Sequence, residues 1–271
     1  MEFQQIFTIA GKEFRDRMRN RWVLAVALVF TVFSLAIAYF GGAQQGTVGF
    51  RSIEFTIASL VSLVIYLIPL IALLLGFDAI VGERERGSLD LLLALPITRL
   101  ELLLGKYLGL AGALTLSTVS GFALVALLLY QRFSWAGLYH YAGFVLSSVL
   151  LGLAFLSLAV LLSVLARDRT RASGLAIALW FALVLVFDLL LLGLLVATGG
   201  QFGGESVAYL LLLNPADIFR ILNVFSLDDV QRLYGLASIL PPALSQVGLL
   251  ASAMLAWIVA PLALASWRFR P

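Results

Sequence analysis

The chain of 271 residues has no cysteine, a single histidine (His140) and three methionines (Met1, Met18 and Met254). Without cysteine, neither a disulfide framework nor a thiolate metal site can be built. One histidine rules out a His-Glu-x-x-His zinc site, and no cluster of metal ligands is spaced along any apolar run. Charge is scarce too: Asp, Glu, Lys and Arg make up 12% of the residues, about half the share of a soluble domain. No nucleotide-binding loop is present. Gly82 and Gly87 have the glycine spacing of a P-loop, but Ser88 stands where lysine is required, and Gly105-Lys106 is followed by Tyr107 with Leu100 at the first glycine position. Any nucleotide-driven work must come from another polypeptide.

What is present is apolar length. Hydrophobic residues make up 62% of the chain, and six runs approach or exceed the roughly 20 helical residues that cross a bilayer: Trp22–Phe40, Ile57–Val81, Tyr107–Tyr130, Leu138–Ala166, Ala172–Ala197 and Val247–Ser266. Pro69 lies near the middle of the second and is expected to kink it. The expected fold is therefore an all-α polytopic membrane protein, one transmembrane domain over residues 1–271. Lys and Arg are unevenly placed. Fourteen of the eighteen lie in the amino-terminal segment, the 82–106 connection, the Arg167–Arg171 connection and the tail. By the positive-inside rule both termini are cytoplasmic, in what a bacterial chain would make the inner membrane. Ala36-Ile37-Ala38 imitates a signal-peptidase site, but the run is longer than a usual signal core and 21 residues precede it, so retention is expected.

Two segments carry pattern beyond apolarity. In the amino-terminal stretch Ile6, Ala10, Phe14 and Met18 recur at helical spacing while Lys12, Arg15 and Arg19 face elsewhere, which predicts an amphipathic helix lying in the inner interface with its apolar face in lipid. The connection "GERERGSLDLLLALPITRLELLLGK", Gly82–Lys106, places Glu83, Arg84, Glu85 and Arg86 before a Gly87-Ser88 break. A short helix Leu89–Leu95 is expected to follow and stop before Pro96. Thr98 and Glu101 form a capping box flanked by the Ile97/Leu102 staple, so the next helix should start at Arg99. Pattern alone leaves two uses open: an interfacial connector with stop-transfer charges, or a rigid body that transmits force.

These residues resemble the ABC-2 family of exporter permeases. There an acidic, glycine-containing turn leads into a Leu-rich helix, a Pro-x-Ser/Thr-Arg element and Gly-Lys at the third span; "IAGKEFRDRMRNRW" resembles the family's amino-terminal elbow helix. The resemblance implies six spans, an elbow helix, a cytoplasmic coupling helix and an outer helical segment between spans five and six. It also implies a homodimer, two copies of a separate ATPase subunit that binds ATP and Mg²⁺, and no catalysis or cofactor in this chain. Glu83, Arg84, Glu85, Arg86 and Gly87 would form the coupling contact. A narrower resemblance, carried by "ESVAYLLLLNPADIFRILNV" (Glu205–Val224) and "GFRSIEFTIASLVSLVIYLIPLIALLLGFDAIVGE" (Gly49–Glu83), is to the permeases of Nos-type copper-processing systems that mature nitrous-oxide reductase. It implies a periplasmic β-helical copper-processing partner. The cargo is left open between a sulfur or copper-related species and no cargo with purely mechanical action. Copper(I) wants thiolate or thioether ligands, and Met254 is the one methionine within a run, so a copper relay through this chain is disfavoured. An exporter of a lipid or drug-like substrate is the alternative.

Three further features are expected to matter. Gly105, Gly109, Ala113, Ser117 and Gly121 form a small-residue ridge on the third span, for internal packing or for a dimer seam. Asn214 can cap a helix begun by Pro215 with Asp217 in its first turn, and Ile218, Ile221, Leu222 and Phe225 form a stripe. This segment is a lid on the bundle, a dock for a periplasmic partner through Asn214, Pro215, Asp217 and Arg220, or both. Asp188 lies about 13 Å below the outer end of span five by helical rise and is expected to face the interior, protonated or bonded to a hydroxyl, either on a transport path or as a structural hydrogen bond. An embedded hydrolase or metalloenzyme is disfavoured, since one histidine cannot make a His-Glu-x-x-His site and no metal cluster is spaced on a span. An ion-coupled carrier would more often show several deep acids.

Overall fold

Uninterrupted Leu, Val, Ile and Ala leave a chain in lipid one local way to satisfy its own N–H and C=O groups, the α-helix. The computed structural model describes residues 3–19, 21–40, 53–132, 135–198, 209–225 and 246–269, and among the described residues there is no strand. In chain order the helices are α1 (Phe3–Arg19), α2 (Arg21–Phe40), α3 (Ile53–Gly76), α4 (Val81–Glu85), α5 (Ser88–Leu93), α6 (Arg99–Arg132), α7 (Trp135–Leu165), α8 (Arg169–Phe181), α9 (Phe187–Ala197), α10 (Pro215–Arg220) and α11 (Val247–Arg268). A π-helical turn, Ala182–Val186, joins α8 to α9, and another, Ile221–Phe225, extends α10.

Five stretches are long and apolar enough to cross a membrane: Thr56–Glu85, Arg99–Gln131, Leu138–Leu165, Arg169–Ala197 and Val247–Arg268. They overlap the second to sixth expected runs, within a few residues except that the third begins at Arg99, eight residues before Tyr107. The first run lies in α2, whose described apolar part, Ala25–Phe40, covers only about 24 Å by helical rise.

The axis of the bundle is α7, on which α3, α6, α10 and α11 all pack. An edge-to-face aromatic chain ties one end together. Phe30 of α2 meets Phe122 of α6 at 5.6 Å, and Phe122 meets Phe144 of α7 at 5.4 Å. Phe144 then reaches Phe219 of α10 at 6.0 Å.

The small-residue ridge of α6 serves internal packing. A Cβ on Gly105 would stand 2.7 Å from Ile9 Cβ, and one on Gly109 would stand 2.6 Å from both the Ala10 carbonyl oxygen and Glu13 Cβ. Higher on the same ridge, a Cβ on Gly121 would meet Phe30 Cβ at 2.6 Å. The ridge is the seat of α1 and α2. This changes the expected role of α1. Its stripe turns as predicted, with Ile6 buried and Ala10, Phe14 and Met18 partly covered while Lys12, Arg15 and Arg19 are exposed, but it faces the glycines of α6 and not lipid. The large apolar side chains that α1 leaves open are Phe3 and Phe7.

The second run stays helical through Pro69 and is interrupted later, at 77–80. There Ser163 Oγ of α7 accepts from the backbone N–H of Ile80 (2.9 Å) and of Val81 (3.0 Å). That hydroxyl satisfies amides that the break would otherwise leave orphaned in a buried site.

Candidate functional site

The first expected site is the connection between α3 and α6. Gly87 is the only described residue with positive φ, at 69°. This left-handed conformation is one that glycine adopts without steric cost, and it turns the chain from α4 into α5. The short helix is Ser88–Leu93, ending slightly earlier than Leu95. Ser88 does not cap it; its hydroxyl donates to the Glu83 carboxylate and to the Glu83 carbonyl oxygen. The capping box forms as expected. Thr98 N–H donates to Glu101 Oε2 at 2.8 Å, Glu101 N–H donates to Thr98 Oγ1 at 3.2 Å, and α6 begins at Arg99.

The four charges before Gly87 divide into two groups. Glu83 turns inward to Lys106 Nζ, 2.9 Å away, and the same ammonium reaches Glu13 of α1 at 3.1 Å. The Lys106 side chain is 8% exposed, so a buried cation lies between two carboxylates and is paired with both, as burial of a charge requires. Arg84 donates to the carbonyls of Ala166 (2.8 Å) and Val164 (3.4 Å), capping the end of α7. Glu85 accepts the backbone N–H of Arg169 at 2.7 Å, at the start of α8. Arg169 in turn pairs with Asp78: Nη2 donates to Oδ2 at 2.8 Å, and Nε lies 2.7 Å from Oδ1. Asp78 is thereby engaged by protein and not by headgroups.

Arg84, Glu85 and Arg86 are all exposed, and Arg86 pairs within its own turn, 3.5 Å from Glu83. Beside it lie Asp90 and Leu91 (73% exposed) of α5 and, just after that helix, Leu95 (55% exposed). Behind them a cleft of about 500 Å³ is lined by Leu93, Ile97, Leu100 and Phe269, with Arg99 on its wall. Arg99 stacks over the Phe269 ring at 5.6 Å and donates to its carbonyl at 3.3 Å, bringing the end of α11 to this connection.

The second and third expected sites coincide. Arg220 Nη2 lies 2.9 Å from Asp188 Oδ2, and Arg220 Nη1 lies 2.6 Å from Asp217 Oδ1. Asn214 Oδ1 accepts the Ala216 N–H as a helix cap, while its Nδ2 donates to Asp217 Oδ2 at 2.8 Å and to the Leu183 carbonyl at 2.7 Å. The last bond exists because of the π-helical turn. Phe187 N–H reaches back to the Ala182 carbonyl, five residues away, which frees the Leu183 carbonyl for Asn214. Single π turns of this kind mark functional positions in many helices. Asp188 is thus ion-paired to a guanidinium, where a protonated acid or a hydroxyl partner was expected. Its side chain is 38% exposed and that of Arg220 is 35% exposed.

Asn214, Pro215 and Asp217 are buried within the bundle. A partner cannot touch them directly; they set the shape of the segment from inside, and Arg220 is the half-open member. The stripe behaves as a lid, with Ile218 and Ile221 fully buried. Ser226–Pro242 and Val207 lie outside the described residues.

Sequence reasoning missed Lys106 as the shared partner of Glu83 and Glu13, and Arg169 as the partner of Asp78. A lone lysine at the mouth of an apolar run, or an acid at the end of one, signals that a counter-charge is needed, but not which of several basic connections supplies it. Among the described residues no group of three His, Asp or Glu could hold a metal ion. His140 is exposed, with its ring 6.0 Å from Tyr139.

Comparison with known proteins agrees with this architecture. The family described as ABC-2 family transporter protein matches residues 7–270. The chain is 45% identical over 270 residues to a protein of Stutzerimonas stutzeri named "Probable ABC transporter permease protein NosY", with 98% of each chain covered. It is 47% identical over 271 residues to a protein of the same name from Pseudomonas aeruginosa, again over 98% of each.

Proposed function

This chain belongs to the ABC-2 transporter family, and we propose that it is the non-catalytic membrane half of an ATP-driven transporter, working as a dimer of this chain with two copies of a separate ATPase subunit. Both termini and the 82–106 connection face the cytoplasm of a bacterial inner-membrane protein, and α2 completes a set of six spans. The relatives' name and the Asn214–Arg220 segment support the finer reading. In it the complex serves nitrous-oxide reductase maturation, exporting a sulfur or copper-related species or moving a periplasmic β-helical copper-processing partner seated on the outer segment.

The observation that carries the coupling role is the division of labour at Glu83–Gly87. Glu83, Arg84 and Glu85 are each bonded to a different helix of the same chain, α6, α7 and α8. Arg86 and the open face of α5 point away from it. An apolar patch with a mixed-charge rim has the anatomy of a protein interface. The ATPase therefore contacts Arg86, Gly87, Leu91 and Leu95, and the inward residues pass its movement on.

Leu91→Asp tests this. A buried interface anchor of this size should lose about 2 kcal/mol, roughly 30-fold in affinity, measured by co-purification and titration of the ATPase subunit with the membrane subunit in nanodiscs. Unchanged affinity with a folded variant removes α5 from the contact. ATP-dependent uptake of labelled sulfur and copper species into proteoliposomes holding the whole complex then separates cargo export from mechanical work. Uptake of lipid or drug-like probes alone would favour the general exporter.

A further inference from the structure

The long helix Arg169–Ala197 shares its sparse cover with Val247–Arg268 and is unlike the other three spans. In α3, α6 and α7 about half or more of the apolar window is covered by the protein, whereas in Arg169–Ala197 only Ala172, Ala176 and Val184 are buried, and α9 buries none of its residues. What holds this helix is polar, and it sits at defined points. At the start, Arg169 pairs with Asp78 while its N–H binds Glu85 of α4. Midway, Trp180 Nε1 donates to the Tyr66 carbonyl of α3 at 3.0 Å. Toward the far end, Asn214 holds the carbonyl freed by the π-helical turn and Arg220 holds Asp188.

We infer that Arg169–Ala197 is the connecting rod of the molecule, taking displacement from α4 through Arg169 and delivering it to the Pro215–Arg220 segment through Asp188. The inference rests on the proposed function, in which an ATPase subunit moves α5 and α4. Three physical features make this helix the carrier. A helix is stiff along its axis because each turn is bonded to the next. Sparse side-chain interdigitation lets it slide where the close-packed α7 would have to break its core. Ion pairs fixed in register at both ends turn a slide at one end into a slide at the other. The π-helical turn lies between the grips, where one helix adjusts its register most readily.

The outer grip can be released without stranding a charge. Removing Arg220 would leave buried Asp217 unpaired, whereas Asp188→Leu leaves Arg220 bonded to Asp217. The absence of cysteine allows paired labels to be added without background. Spin labels at Leu213→Cys and Leu146→Cys, both at exposed positions, report the outer segment against the bundle axis in the reconstituted complex with its ATPase.

With the Asp188 pair intact, ATP should shift the distance distribution between these labels. Asp188→Leu should reduce the shifted population at least about five-fold, the lower end of ordinary allosteric coupling, while ATPase binding stays unchanged. Arg169→Gln, which releases the Asp78 half of the inner grip and keeps the backbone bond to Glu85, should also reduce the shifted population and serves if Asp188→Leu does not fold. A full ATP-driven shift in either folded variant overturns the rod while leaving the proposed function standing. No ATPase binding by the chain with Asp188 intact would instead overturn the proposed function, and a bound ATPase that produces no shift in that chain would overturn the rod.

Discussion

At one end of the bundle Lys106 is held between Glu13 and Glu83, and little of any of the three is exposed; at the other, Arg220 is held between Asp217 and Asp188 with a third or more of the Arg220–Asp188 pair open. Each cluster is built on one cation between two carboxylates, with Arg17 and Arg86 as further partners of Glu13 and Glu83 in the first. Their cover differs. Charges 4 Å apart interact by about 1 kcal/mol in water and by about 4 kcal/mol where the effective dielectric constant is near 20. The covered cluster is therefore a fixed joint, joining α1, α4 and α6 and costly to open. The half-open one is a joint whose Asp188 arm can be released while the Asp217 arm holds. A transmitter needs both: a stiff hub where force arrives, and a releasable contact where it is delivered.

The sharpest way to break this comparison is Lys106→Met. If the hub is a fixed joint, removing its one shared cation leaves two carboxylates facing each other under cover, and thermal or denaturant unfolding should show a loss of about 3 kcal/mol. A loss below 1 kcal/mol would put the two clusters in the same class. Next in size is Gly109→Val. Its side chain would have to enter space held by the Ala10 carbonyl and Glu13 Cβ, so α1 must lift from α6 and carry Glu13 away from Lys106. Overpacking of this kind costs about 1–3 kcal/mol, and limited proteolysis should then cut within α1; protection equal to the unaltered chain would deny α1 its part in the hub. The smallest effect belongs to Asp188→Leu, which should change stability in detergent by less than about 1 kcal/mol. A drop comparable to that of Lys106→Met would make the outer cluster a second fixed joint.

Much of the local structure was legible in the sequence, and the reason is range. The Thr98–Glu101 box and the Asn214 cap with Pro215 behind it are bonds between residues two or three apart, governed by the backbone itself. The amphipathic face of α1 and the ridge of α6 were each legible, but not that they fit each other, since period and spacing say which face is apolar and not what it meets. The charges were harder. The partner contact expected of Glu83 came from the family resemblance, and no local pattern pointed to Lys106, 23 residues on, or to Glu13 in another helix, which shares that lysine. Asp188 announced its need for a partner by its depth. Arg220, 32 residues later, was counted as part of a separate docking segment, because nothing periodic in the sequence marks that α10 meets the π-helical region.

The seat of α1 on Gly105 and Gly109 has a consequence for biogenesis. A ribosome releases the amino-terminal helix well before it makes the groove that will receive it, at about 5–20 residues per second, so the interval is on the order of ten seconds. During that time the nascent helix carries Phe3, Phe7 and Phe14 with no docking partner. The bilayer surface, which takes up an amphipathic helix by its apolar side chains, is a place where it can wait, and Phe3 and Phe7 stay uncovered in the folded chain.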